Sequence, residues 1–129
     1  MASPLFGCAA SDVGDNEPSA VSLANNVQTI LDARCVQCHF LESAQGELVL
    51  EQGEAFASLV NIPSSQAPMN RVEPGNPDRS YLMHKLRGTH HSVGGSGSAM
   101  PLGGEVSSGL STDDMALIQT WIVTGAHDN

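Results

Sequence analysis

The sequence predicts a small, mostly helical domain. Apolar residues recur at 3–4 spacing in two separate segments, around 20–34 and 112–124. No segment carries a strong strand-like alternation, and no internal repeat is present. The length, 129 residues, is that of one domain.

Residues 1–20 read as an acidic, flexible tail. Asp12, Asp15, Asn16 and Glu17 crowd one stretch, two prolines interrupt it, and little is available to bury. Residues 21–127 form the predicted domain. Its opening helix, over 20–34, places Val27, Ile30, Leu31 and Arg34 on one stripe, with Leu23 and Ala24 a turn earlier. Gly46–Leu50 alternates briefly and suits an extended segment. Residues 53–60 suit a short helix. Pro63, Pro68 and Pro74 make 61–76 a loop wrapped on the surface. Asn76-Pro77-Asp78 then starts a helix: Asn caps, Pro fits the first turn and Asp complements the dipole. That helix carries Tyr81, Leu82 and Leu86 inward and stops at Gly88. Residues 88–109 hold seven of the thirteen glycines, and so long an irregular segment is uncommon in a compact domain unless it has a task. The closing helix runs from about Thr112 to Thr124. Ser111 and Asp114 make a capping-box-like start, and Gly125 ends it. Met115, Ile118 and Ile122 form its stripe, with Leu117 and Trp121 beside it.

Composition narrows the function. The net charge is −9, which disfavours nucleic acid, whose phosphates require Lys and Arg. No apolar run approaches the roughly 20 residues that span a bilayer. Leu, Ile, Val and Phe total 29 residues, about 22% of the chain, and only five residues are aromatic. Chains below roughly 20% of these four types tend not to fold. A core this lean gains from an apolar cofactor at its centre.

Cys35-Val36-Gln37-Cys38-His39 is the decisive motif. C-x-x-C-H is the attachment signature of c-type haem. Two thiols at this spacing can add to the two vinyl groups on one porphyrin edge. The next residue then lies under the iron, where an imidazole nitrogen can bind it. A thioredoxin-like dithiol would need a βαβ setting, which is absent. A zinc site would need two further ligands, and His84, His90, His91 and His127 have no zinc-finger spacing.

With these residues in view, the chain resembles a small bacterial monohaem c-type cytochrome over about residues 22–126. The resemblance rests on the helix leading into C-V-Q-C-H, on P-G-N-P-D-R-S-Y-L (74–82), on A-M-P (99–101) in the Gly-rich segment, and on the closing W-I-V-T-G-A (121–126). It implies an all-α, cytochrome c-like fold wrapped around one haem c, with the opening and closing helices crossing beside it. It also implies that Cys35 and Cys38 attach the haem and that His39 and Met100 are the axial ligands. A loop suits Met100, because it can reach over the haem face away from His39. Pro101 restrains its backbone, and nearby glycines permit close approach.

Rival ligands are present. His90 and His91 share the segment with Met100 and would give a bis-His site, although both read as solvated loop residues. Met69 lies in the Pro-rich loop. Met83 and Met115 fall in helical apolar patterns and read as core. His84 reads as exposed on its helix, and His127 belongs to the chain end. Related cytochromes often orient the proximal histidine with a carbonyl beside a proline soon after the motif, but here the next proline is Pro63. Arg71, Arg79, Lys85 and Arg87 cluster between 71 and 87 and could face haem propionates or form a solvated helix face. Trp121 and Tyr81 carry possible hydrogen-bond donors for the same groups.

The expected function is single-electron transfer between protein redox partners through a His/Met-ligated haem, without an enzymatic activity of its own. Covalent attachment suits a compartment outside the cytoplasm, such as the periplasm. The acidic charge favours a basic docking surface on the partner. Two other classes remain: a haem-based gas sensor or small haem enzyme with a labile sixth ligand, and a fixed haem subunit of a larger oxidoreductase. Leu5-Phe6-Gly7-Cys8 resembles a bacterial lipoprotein box without the apolar region that precedes one. It leads to the expectation of a lost signal peptide and a lipid-anchored Cys8, against a chance L-x-G-C in a short tail.

Overall fold

The opening helix begins where Ser22 caps it. The Ser22 Oγ accepts the Asn25 N–H at 2.9 Å, and the Asn26 Oδ1 accepts the Ser22 N–H at 2.8 Å. Two amides that a helix start leaves without partners are thereby satisfied. The computed structural model describes residues 21–44, 47–101 and 110–129. The expected tail over 1–20, including Cys8, and the end of the Gly-rich segment at 102–109 lie outside the described residues.

The opening helix is not uniform. Its first turn, Leu23–Val27, is a π-turn, and α1 proper is Gln28–Arg34. The Ser22 carbonyl accepts both the Asn26 and the Val27 N–H, at 3.1 and 3.2 Å, which widens the turn. Leu23, Val27, Ile30 and Leu31 are buried as their spacing predicts. Ala24 is exposed instead. Gln28 joins the buried face, and its amide donates to Asp32 Oδ1 and to the Leu50 carbonyl, both at 2.9 Å.

After the cysteine turn the chain forms a minimal antiparallel hairpin, β1 (His39–Phe40) and β2 (Ser43–Ala44), with His39 opposite Ala44. Of the extended segment expected at 46–50, the described residues 47–50 form no strand; Leu50 is tied by its N–H to the His39 carbonyl at 2.8 Å and is buried. The next helix, α2, is Ala55–Leu59, shorter than the sequence predicts.

The Pro-rich stretch that follows is a loop lying largely on the surface, as predicted, and it is anchored inward at two points. Val60 and Val72 form a parallel bridge, Pro63 and Asn70 an antiparallel one, and Val72 and Ala67 are buried. Asn76-Pro77-Asp78 does not start the third helix. Pro77–Arg79 is one 3-10 turn and Asn76 makes no side-chain cap. Ser80 then takes an extended conformation, φ −110° and ψ 115°, so α3 begins afresh at Tyr81–Arg87. The first four amides of α3 are satisfied from outside it: Tyr81 and Leu82 donate to the Asn70 and Arg71 carbonyls, and Met83 and His84 to the Ser80 carbonyl. Gly88, at φ +79°, ends α3 in the left-handed conformation glycine favours. The Gly-rich segment includes a 3-10 turn, His90–Val93, where the sequence shows no regular element.

The closing helix α4, Thr112–Val123, starts as predicted, with Ser111 Oγ accepting the Asp114 N–H at 3.0 Å. Ile118, Trp121 and Ile122 are its buried face, and Met115 only packs against the edge. They share one core with Val27, Leu31, Leu59, Val72 and Met83. The two ends of the domain are joined there too: Asn129 Oδ1 accepts the Leu23 N–H at 3.1 Å. Among the described residues the domain is therefore mostly helical, with two 2-residue strands.

Candidate cofactor site

The site begins at the C-terminus of α1. The Leu31 carbonyl accepts both the Cys35 and the Val36 N–H, and the Cys35 carbonyl accepts those of Cys38 and His39. The C-x-x-C-H segment is thus a closed turn held by the end of a buried helix. It presents both thiols and the imidazole to one cavity of about 320 Å³. Met100 and Pro101 reach the same cavity from the Gly-rich segment; the bond between them is cis. All four sequence-predicted site residues, Cys35, Cys38, His39 and Met100, therefore line one space.

The remaining wall is divided by chemistry. Leu48, Leu50, Leu59, Leu82 and Leu86 make it apolar. Arg34, Arg71, Lys85, Ser64, Ser65 and Gln66 supply cations and hydrogen-bonding groups. Such mixed walls, mostly apolar with a few placed polar groups, suit a large ligand with a charged end. Both described thiols are free. Burial pushes the Cys35 thiol up to about 11, with neighbouring Arg34 pulling the other way, so it is held neutral.

The cations sort differently from their spacing in sequence. Arg71 is braced against the wall: its guanidinium donates to the Ser58 carbonyl at 2.8 Å and to the Glu47 carbonyl at 3.4 Å. Burial lowers its pKa, opposed by the Glu47 charge. Burial also lowers that of Lys85, whose Nζ donates to the Ser96 carbonyl at 3.0 Å. Arg79 and Arg87 do not line the cavity; Arg87 pairs with Asp78 at 3.1 Å and donates to Gln119. Arg34, read from sequence as part of a stripe, is the cation the spacing did not assign to the site. Trp121 is committed elsewhere, its Nε1–H donating to the His127 carbonyl at 2.9 Å.

The rival ligands fall outside the wall. His90 is buried rather than solvated; its Nε2 pairs with the Gly97 carbonyl at 2.8 Å, and its Nδ1 is buried without a partner among the described residues. Its neighbour His91 is exposed. Neither lines the cavity, nor do Met69, Met83 or Met115. His84 is half-buried, bonded to Thr89 and to the Asp78 carbonyl. Among the described residues no three His, Cys, Asp or Glu side chains are placed to hold a metal ion, so Cys35, Cys38 and His39 share the cavity wall without forming a zinc-type cluster.

Comparison with known proteins adds one likeness. No protein-family model and no curated protein matches the chain. Among solved structures, it is similar to part of the hydrazine synthase of Kuenenia stuttgartiensis. The TM-score is 0.51 at 25% identity, over 82% of this chain and 16% of that one. The match therefore spans only a small part of that structure's length.

The donor set fits a c-type haem. Two thiols and an imidazole in fixed sequence order, a thioether from a separate segment, an apolar wall and a cationic edge meet at one place. A dithiol site would use the two cysteines alone and leave the leucine wall and Met100 without a role.

Proposed function

We propose that the chain carries one haem c and transfers single electrons between protein redox partners. The observation that carries this reading is the convergence of Cys35, Cys38, His39 and Met100 on one largely apolar cavity. Cys35 and Cys38 would hold the porphyrin through thioethers, and His39 and Met100 would hold the iron. When bound, the haem supplies one-electron chemistry, and His/Met ligation raises its potential relative to bis-His. The chain's own residues do the rest. The leucine wall keeps water from the apolar face of the ring. Arg34, Arg71 and Lys85 offer positive charge to its carboxylates. The Cys35–His39 turn, closed by main-chain hydrogen bonds, keeps the imidazole in place. If His39 and Met100 both held the iron, no site would remain there for a substrate, and the protein is read as a carrier and not an enzyme.

The wider setting follows from the same reading. Covalent attachment suits the periplasm or another space outside the cytoplasmic membrane. Among the described residues no helix is long and apolar enough to cross a membrane, and a lipidated Cys8 would provide attachment to its surface. The net charge of −9 favours partners with a basic docking face. A second reading is supported by the likeness to 16% of a hydrazine synthase chain. A fold of this kind can serve as one part of a large enzyme chain, and this protein would then be a fixed redox module of an oxidoreductase.

The test is an absorption spectrum of the purified protein, oxidised and reduced. A low-spin c-type spectrum with the weak long-wavelength sulfur-to-iron band, lost in Met100→Ala, is expected. A low-spin spectrum without that band would replace Met100 by another ligand. A high-spin spectrum that binds carbon monoxide rapidly would bring forward a sensor or enzyme. Absence of haem from protein made in cells that mature c-type cytochromes would overturn the reading.

A further inference from the structure

The segment carrying Met100 is composed of small residues, Gly95-Ser96-Gly97-Ser98-Ala99. Such a segment has much conformational freedom to lose, so it needs external anchors to hold one position. The structure supplies them from α3 and from His90. The Lys85 carbonyl, at the α3 C-terminus, accepts the Met100 N–H at 2.9 Å. The Lys85 Nζ donates to the Ser96 carbonyl, and His90 Nε2 pairs with that of Gly97.

Tyr81 adds an anchor that reaches across to another segment. Its hydroxyl accepts the Ser96 N–H at 3.3 Å and donates to Gln66 Oε1 at 2.9 Å. It thus joins the Gly-rich segment to the Pro-rich loop, while its ring is buried in the cavity wall. Gly95 is fitted to this arrangement. A Cβ at that position would collide with the Tyr81 hydroxyl and stand 2.6 Å from ring carbon Cε1.

We propose that Tyr81 is a positioning residue for Met100. By fastening Ser96 to Gln66 it fixes where the thioether stands, and so sets how readily Met100 leaves the iron. The inference rests on the reading of Met100 as the sixth ligand. Its physical consequence is a population shift. An external ligand binds only after Met100 has left, so its apparent affinity scales with the fraction of molecules in the open state.

The experiment titrates imidazole into the ferric, haem-loaded protein. Tyr81→Phe keeps the ring in the wall and removes only the hydroxyl. It is expected to bind imidazole about tenfold more tightly than the parent, equivalent to about 1.4 kcal/mol. The sulfur-to-iron band should persist before imidazole is added. Gly95→Ala, which displaces the ring, should act in the same direction. Hydrogen exchange at the Ser96 amide should quicken in Tyr81→Phe, a readout independent of the iron. Ser22→Ala, which weakens a helix cap that bonds Asn25, should leave imidazole affinity unchanged, so general destabilisation cannot imitate the effect. A parent protein that shows the band, with Tyr81→Phe binding imidazole within twofold of it, overturns the role of Tyr81. A parent that lacks the band and binds imidazole as tightly as Met100→Ala overturns the Met100 reading itself, and this inference with it.

Discussion

Replacing Ser80 by Ala should destabilise the domain by about 2–4 kcal/mol, much more than its size suggests. Ser80 has no solvent exposure. Its Oγ accepts the Glu73 N–H at 2.8 Å and donates to the Asn76 carbonyl at 2.9 Å. Alanine fits the same space, so volume plays little part. The Glu73 amide loses its acceptor, and an unsatisfied buried donor costs roughly 1–3 kcal/mol. The Asn76 carbonyl keeps the Arg79 N–H at 3.1 Å, so the second lost bond is worth only its net value, about 1 kcal/mol. For a domain of this size each kcal/mol lowers Tm by roughly 4 °C, giving a fall of about 8–16 °C. Thermal unfolding followed by far-UV circular dichroism measures it, and urea unfolding at unchanged m separates stability from a change in the unfolded state. Ser111→Ala is the comparator. Ser111 also precedes a helix and accepts an amide, that of Asp114, but it is exposed, so its loss should cost only about 1 kcal/mol. Equal costs for the two serines, or a loss below about 1 kcal/mol at Ser80, would refute burial as the source of the difference. The result bears on the site, because Ser80 immediately precedes α3, which carries Leu82, Lys85 and Leu86 into the cavity wall.

Three further outcomes are expected. In the haem-free protein, iodoacetamide at pH 8 should alkylate exposed Cys38 well before Cys35. A thiol at about 11 rather than 9.0 holds about a hundredfold less thiolate, and burial slows access further. The same raised value makes the haem-free fold lose stability as pH climbs from 9.0 towards about 11, since the unfolded thiol ionises first. Cys35→Ala should flatten that slope, and a slope that persists would assign it to another group. Electron transfer to a basic partner should slow as ionic strength rises, because a chain of net charge −9 is steered by long-range attraction; a flat salt profile in stopped-flow measurements would remove steering from the account.

Much of the helical scaffold was legible because periodicity reports burial directly. Val27, Ile30, Leu31, Ile118 and Ile122 are core residues as their spacing predicts, and Ser111 and Gly88 bound their helices as expected. The reading failed where local signals competed with distant partners. Asn76-Pro77-Asp78 has the composition of a helix start, yet it makes a 3-10 turn. The first two amides of α3 find acceptors at Asn70 and Arg71 instead, and only the folded loop provides those. His90 looks like a solvated loop residue because its environment is made by Gly97, seven positions later.

The sequence alone determined the chemistry available: two thiols and an imidazole in C-x-x-C-H order, a methionine before a proline, an acidic net charge and few large apolar residues. These are properties of residue identity and short spacing, which a chain carries before it folds. The tertiary structure brought Met100, already singled out by the A-M-P resemblance, to the motif's cavity, and it alone decided which cations share that space. Met100, and not Met69, Met83 or Met115, reaches the cavity of Cys35, Cys38 and His39, and Arg34 joins Arg71 and Lys85 there in place of Arg79 and Arg87. Those assignments depend on hydrogen bonds between segments far apart in sequence, such as Met100 to Lys85, Tyr81 to Gln66 and Arg71 to Ser58. No local pattern encodes such contacts, because each exists only once both partners have been brought together by the shared core.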